Sequence, residues 1–390
     1  MPSKFSALPN ASGCHAKQSA QSAILAGFLI CASYLAAHSA ERIGACSTSD
    51  ERVVIAAVGD LLFQRPLQQQ ALASGGSYLR IWEAIAPVLK KAAIVYGNLE
   101  GTVAEGIGYN GLQVPDPGRR LDGLVYDAPP SRFSFNYHRS LIHDLKEGGF
   151  GVVSTANNHA LDRYSRGIDR TIEALDAAKL AFTGTRKRGE IDRPWSVVTR
   201  ARGFSVAWLA CTYGTNGNAD LHAQVLLCFE QQDILLSEIH NLNVSGVDAV
   251  IVVPHWGIEG HTVVEQRQRE LAKAMFSAGA LAIIGTHPHV LQEWEILKSE
   301  AREGLIVYST GNFVSAQGGS AERTGIIVLL ELSRDRGRGK ARIARAGYVL
   351  TRVLRRPEFR VISATGTPTP REVPKDNRIH DVNRWLSPCP

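Results

Sequence analysis

Five short apolar runs recur along the chain, and each ends at polar residues able to carry chemistry. Val53–Val58 leads into Gly59-Asp60, Ala92–Tyr96 into Gly97-Asn98-Leu99-Glu100, and Phe150–Val153 toward Asn157-Asn158-His159. Ala249–Val253 leads into Pro254-His255-Trp256-Gly257, and Ala280–Ile284 into Gly285-Thr286-His287-Pro288-His289. Runs this short and this continuous suit strands buried on both faces, as in a parallel sheet. Val206–Ala210 and Leu305–Tyr308 read as further strands, and helices are predicted over Tyr78–Lys91, Arg139–Glu147, Arg166–Lys179, Glu230–Leu242 and Val264–Ala278. The strand–helix alternation runs from Val53 to about Leu330 without a long linker, which predicts one large α/β domain. The division expected is a signal segment 1–40, a linker 41–52, a domain 53–331, a basic β extension 332–364 and a flexible tail 365–390. Glu105–Ser134, rich in Gly, Pro and Asp, is long enough for a functional lid or a disordered insertion.

In a parallel sheet the carboxyl ends of the strands line one edge, so side chains distant in sequence converge on one crevice. Asp, Glu, Asn and His at those exits form a mixed oxygen and nitrogen ligand set that suits Zn, Mn, Fe or Ni and lacks the thiolates of structural zinc sites. His287 and His289 stand two apart around Pro288, and in an extended segment both rings project to one side and reach a single metal ion. The bland alternative is a pair of histidines hydrogen-bonding in a surface loop. His159 would protonate a leaving group, or else only fix the Asn157-Asn158 turn. Trp256 reads as packing. Asn312-Phe313, after the strand ending at Tyr308, either closes the far wall of the site or forms a polar turn.

Taken in order, Gly59-Asp60, Gly97–Glu100, Ala156–His159 with Asp162, His255-Trp256-Gly257 with Glu259, Gly285–Gln292 and Tyr308–Phe313 resemble the motifs of the CapA family. These poly-gamma-glutamate capsule biosynthesis or polyglutamine synthesis accessory proteins are related to calcineurin-like metallophosphoesterases. The resemblance implies a four-layer α/β/β/α sandwich, metallophosphoesterase-like, with a divalent metal centre (Mn, Zn or Fe, one or two ions) at the strand ends. It further implies Asp60, Glu100, Asn158, His255, His287 and His289 as metal ligands, Asn98 as a supporting or weak ligand, and His159 facing substrate. Asp162, Glu259 and Asn312 are expected to support the ligands, Glu259 by steadying His255. Three positions depart from the family pattern: Leu62 stands where phosphoesterases of this fold have a ligating His, Tyr164 where Gly is usual, and Gly260 where an aromatic residue is usual. Partners implied are an anionic or amide-rich cell-envelope polymer and a membrane synthase complex.

The amino terminus bears on location. Lys4 and Lys17 precede the uncharged apolar stretch Ala23–Ala37, and small residues follow to Ala40, the outline of a secretory signal. Export is therefore expected. Cleavage is favoured, with a retained membrane anchor, lipidation at Cys46 and a cytosolic chain with an apolar start as the alternatives. Cys14 and Cys31 would leave with the signal; among those that remain, Cys211 and Cys228 either bridge or stay as buried thiols. The formal charge of +6 lies largely between Arg334 and Arg360. That band would hold an anionic polymer or lipid head groups, or form a solvated hairpin face, and it lacks the interleaved aromatic residues of a nucleic-acid module. Two functions of different class follow: a metal-dependent hydrolase of phosphoester or amide bonds, and a non-catalytic accessory protein that binds polymer or synthase through the same crevice.

Overall fold

The computed structural model describes residues 51–126, 133–300, 302–335, 338–364 and 379–381. The expected signal segment with Cys14 and Cys31, Cys46 in the linker, and Cys389 in the tail lie outside the described residues. In chain order the first half comprises β1 (Glu51–Leu61), α1 (Arg65–Ala73), α2 (Leu79–Trp82), α3 (Ala86–Leu89), β2 (Ile94–Leu99), α4 (Ser140–Glu147), β3 (Val152–Ser154), α5 (Tyr164–Ala177) and β4 (Ala181–Thr183). The second half begins with β5 (Val197–Ala201), β6 (Phe204–Thr212), α6 (Gln232–Val244), β7 (Ala249–His255), α7 (Gln266–Ala278), β8 (Ala282–Ile284), β9 (Trp294–Lys298) and β10 (Glu303–Val307). It closes with β11 (Asn312–Val314), β12 (Thr324–Asp335), β13 (Arg338–Leu354), β14 (Arg360–Ser363) and β15 (Ile379–Asp381).

These strands build two sheets. One runs β14-β13-β12-β1-β2-β3-β4, with β11 beside β1 and β15 beside β13; the other runs β5-β6-β7-β8-β10-β9. The apolar runs β1 to β4 pair in parallel, and so do β6, β7, β8 and β10. Period-two alternation separates the layers, because successive side chains leave a strand on opposite faces. Val206, Trp208 and Ala210 join the core shared with the first sheet, where Trp208 stacks on Tyr96 at 5.2 Å. Ala207, Leu209 and Cys211 face the other way, into a second core with Leu235 and Ile239 of α6 and Leu271 and Met275 of α7. On the far side of the first sheet, α1, α4 and α5 contribute Leu67, Leu141, Leu145, Ile168 and Ile172. The expected α/β/β/α sandwich is therefore present, two sheets face to face with helices outside.

The remaining differences from the sequence reading have local causes. The helix expected over Tyr78–Lys91 is broken into α2, a tight turn at Glu83–Ile85 and α3, and Pro87, which has no N–H to continue a helix, falls at the start of α3. Helix α1, with only Leu67, Gln68 and Ala71 buried, was not expected, since its Gln-rich sequence carries little apolar period. Cys211 and Cys228 form a disulfide, one of the two alternatives left open. Among the described residues no helix is long and apolar enough to cross a membrane.

Glycine is required where strand ends approach backbone to backbone. A Cβ on Gly59 would lie 1.8 Å from the carbonyl oxygen of Gly311, and one on Gly285 would lie 2.1 Å from that of Tyr308. Gly59→Ala is expected to lower stability by about 1–3 kcal/mol through forced separation of β1 from the Gly311 turn, seen as a lower thermal midpoint. Replacing Cys211 and Cys228 by Ser together should cost about 3 kcal/mol, from the loop entropy returned to the unfolded chain; equal denaturation midpoints with and without reductant would contradict this.

Candidate metal centre

All the strand-exit residues come together on one sheet edge, and almost all are buried. Asp60 ends the straight part of β1, where the register to β2 shifts so that Asp60 pairs with Asn98. Asn98 donates to Asp60 Oδ1 at 2.8 Å and accepts from Ser154 Oγ at 2.7 Å, which fixes the carboxylate's orientation. Glu100 follows β2. Both its carboxylate oxygens are buried without a hydrogen-bond partner.

The histidines arrive from the second sheet. His255 ends β7, its Nδ1 lying 3.0 Å from Thr286 Oγ1 and its Nε2 2.9 Å from Asn158 Oδ1. His289 places Nδ1 3.1 Å from Asp60 Oδ2 and 3.0 Å from Asn312 Oδ1, and both partners only accept, so Nδ1 carries the proton. Its Nε2 then lies 3.7 Å from Glu100 Oε1, and His255 Nε2 lies 3.8 Å from the same oxygen. Glu100 thus stands between two imidazole nitrogens. His287 packs its ring 4.3 Å from Tyr213 and 4.7 Å from His255, with Nδ1 buried and unpartnered.

At this site two sets of three bring their ligand atoms within 4.8 Å of one another: Asp60, Glu100 and His289, and Glu259, His287 and His289. Bare buried carboxylate oxygens and an orphaned imidazole nitrogen, crowded at this spacing, fit a divalent cation, since they otherwise forfeit solvation with no return. Glu259 turns toward His287 and His289 in that set, whereas the sequence reading placed it beside His255. The extended geometry expected around Pro288 is also corrected: His287 and His289 have φ of 98° and 59°. They converge through a tight turn, held by Thr286 N–H on Pro254 O at 3.0 Å and Gly260 N–H on Pro288 O at 2.8 Å. Non-glycine residues in this region store strain that the surroundings must enforce.

Charge in this dry pocket is strongly redistributed. Burial holds His255 well below the ordinary histidine range, and burial also presses His287 down to about 3, so both stay neutral. Burial works on His289 in the same direction, but Glu100 and Asp60 outweigh it and raise it to about 10. Glu100 is held well above the usual carboxylate range by its burial and by Asp60. In the metal-free state the acidic cluster retains a proton in place of cationic charge.

A cleft of about 510 Å³ opens over the site, lined among others by Leu62, His159, Asp162, Glu259 and His289. Leu62, at the position of an absent ligating His, is buried and gives the first ligand set an apolar flank. His159 Nδ1 lies 2.8 Å from Asp162 Oδ2, an acceptor, which leaves Nε2 as the free ring nitrogen. Asn312 also donates to Gln317 Oε1 at 2.7 Å, and Trp256, fully buried, donates to Tyr308 O at 2.9 Å. Sequence reasoning missed Thr286, Tyr213 and Asn216, the last accepting from Asn158 Nδ2 at 3.2 Å. The polar run Tyr213–Asn218 follows the apolar strand β6 as the other motifs follow theirs, and that signal was available.

The chain has relatives among known proteins. Residues 54–317 match the family of bacterial capsule synthesis proteins, PGA_cap. The capsule biosynthesis protein CapA of Bacillus anthracis is 30% identical over 292 residues, 74% of this chain and 66% of that protein. The PGA biosynthesis protein CapA of Bacillus subtilis is 26% identical over 310 residues, 79% of this chain and 75% of that protein. The match thus spans just under two thirds of the first relative. Among solved structures, the calcineurin-like phosphoesterase YfkN of Bacillus subtilis aligns with a TM-score of 0.41 and 13% identity, covering 83% of this chain and 94% of that one.

The proton held by the cluster has a measurable consequence. Metal uptake should release about one proton per ion near neutrality, and affinity should rise with pH as the His289–Glu100 cluster loses its proton. Calorimetric titration in buffers of different ionisation enthalpy reads this directly; an affinity indifferent to pH between about 6 and 8 would contradict it.

Proposed function

The chain belongs to the bacterial capsule synthesis protein family, and from that premise we propose an extracytoplasmic accessory protein in the synthesis, transport or anchoring of a poly-glutamate or polyglutamine envelope polymer, working through a divalent metal centre. The observation that carries the metal part is Glu100, buried with both oxygens bare between two imidazoles and beside Asp60. Asp60, Glu100 and His289 would hold one ion; Glu100, Asn158 and His255 would hold a second, with His287 closing the set. The apolar Leu62 leaves the first position the weaker of the two. Mn, Zn and Fe all accept this oxygen and nitrogen donor set.

Such an ion supplies Lewis acidity toward a phosphoryl or carbonyl oxygen and acidifies water. The chain's residues do the rest. Asn98 and Asn312 hold Asp60 and His289 in one orientation each. His159, oriented by Asp162, offers Nε2 to the cleft as the group that delivers a proton to a leaving oxygen or nitrogen. That oriented pair favours a second reading, in which the protein hydrolyses a phosphoester or amide bond in another envelope substrate.

Metal content and polymer output test the proposal together. Protein purified from Glu51 onward and reloaded should hold about one to two transition-metal equivalents, lost in Asp60→Ala and His287→Ala. Cells carrying either variant should display markedly less surface polymer than wild type. Full polymer output from a metal-free variant would remove the metal from the function and leave a binding protein.

A further inference from the structure

The mouth of the cleft carries strain that neither the metal ligands nor the core requires. Eight non-glycine residues have positive φ among the described residues, and besides the ligand His289 three of them, Phe133, Tyr164 and Asn216, line this one cleft. Tyr164 has φ 53° and Phe133 φ 41°, a region that favours glycine, yet the two residues stand 41% and 76% exposed. An aromatic side chain that is both strained and wet contributes little to the core, and strain of this kind collects where a ligand is handled.

The surroundings enforce the arrangement. The fully buried Arg163 donates to Val125 O and Asp162 O, each at 2.9 Å, and to Ser134 Oγ, tying the residues that flank Phe133 and Tyr164 to one guanidinium. Gly111 packs against the Tyr164 ring so closely that a Cβ there would come within 2.6 Å of it. Asn216, Asn218 and Gln317 line the same cleft with their carboxamides. No Lys or Arg is found among the described lining residues, while Asp162 and Glu259 are.

We propose that this mouth is a sugar subsite: Tyr164 and Phe133 stack on the C–H face of an uncharged pyranose ring, and the facing carboxamides read its hydroxyl or acetamido groups. Neutral amides donate and accept without charge, which suits hydroxyl and amide groups, whereas a polycarboxylate would meet the exposed Glu259 with no Lys or Arg among the described lining residues to offset it. The inference rests on the envelope-polymer reading above and refines it, since a polymer that is anchored needs an acceptor, here a glycan of the envelope.

The test is calorimetric titration of the metal-loaded protein with a trimer of N-acetylglucosamine and with an oligo-glutamate of similar length. Wild type is expected to bind the sugar in preference. Tyr164→Gly should weaken sugar binding by about tenfold or more, with metal content unchanged and the thermal midpoint no lower, because glycine relieves the backbone strain; Tyr164→Phe should keep binding. Preference for oligo-glutamate, or sugar affinity unmoved by Tyr164→Gly, overturns the subsite, and so does a lowered midpoint with binding intact, which would make the ring structural. Sugar binding does not need the ion, so a protein that binds the trimer without holding metal would refute the metal centre and leave the subsite standing. One that holds metal but ignores the trimer does the reverse.

Discussion

Two carboxylates with no exposure to water, Asp60 and Glu100, dominate the energetics of this molecule. Removing an uncompensated carboxylate from water costs several kcal/mol, more than one such group can draw from ordinary packing in a marginally stable fold. Their neighbours are arranged to meet that cost. Asn98 holds Asp60, His289 lies between Asp60 and Glu100, and His255 and His287 stay neutral so that no excess positive charge enters without a ligand. A divalent cation fits this arrangement better than a shared proton does, because it satisfies both bare oxygens of Glu100 as well as the imidazole lone pairs.

Such a cluster can exist only where rigid elements hold it. The two sheets lie face to face, interlocked by contacts such as Tyr96 on Trp208, and their parallel strands bring several backbone ends to one edge. Glycines at 59 and 285 allow those ends to approach until no Cβ would fit. The disulfide from Cys211 to Cys228 closes the loop that carries Tyr213 against His287 and Asn216 against Asn158. Precision at the centre therefore depends on packing well away from it.

The rim is built differently from the floor. The floor is a buried cluster of carboxylates, carboxamides and imidazoles, whereas the rim is aromatic, exposed and strained, pinned from behind by one buried guanidinium. A floor of this kind suits chemistry common to a family, while residues at a rim choose what reaches it.

The sequence by itself determined the architecture and most of the floor. Short continuous apolar runs bounded by turn residues suit buried strands, and a chemical residue just past each such strand lies on the sheet's carboxyl edge. Local causes were legible too, such as the helices α4 to α7 and the apolar Leu62 beside the ligands. Tertiary structure decided what depends on contacts between distant segments: the turn that aims His287 and His289, the neighbours of Glu259, and the place of Thr286 and Tyr213. It also decided the protonation of the cluster, which follows from burial and from charges that sequence order does not bring near. The strained mouth is the clearest case. Nothing in the letters Asp162-Arg163-Tyr164 says that the arginine will be buried to hold two loop segments while the tyrosine faces solvent, because burial is a property of the packed whole.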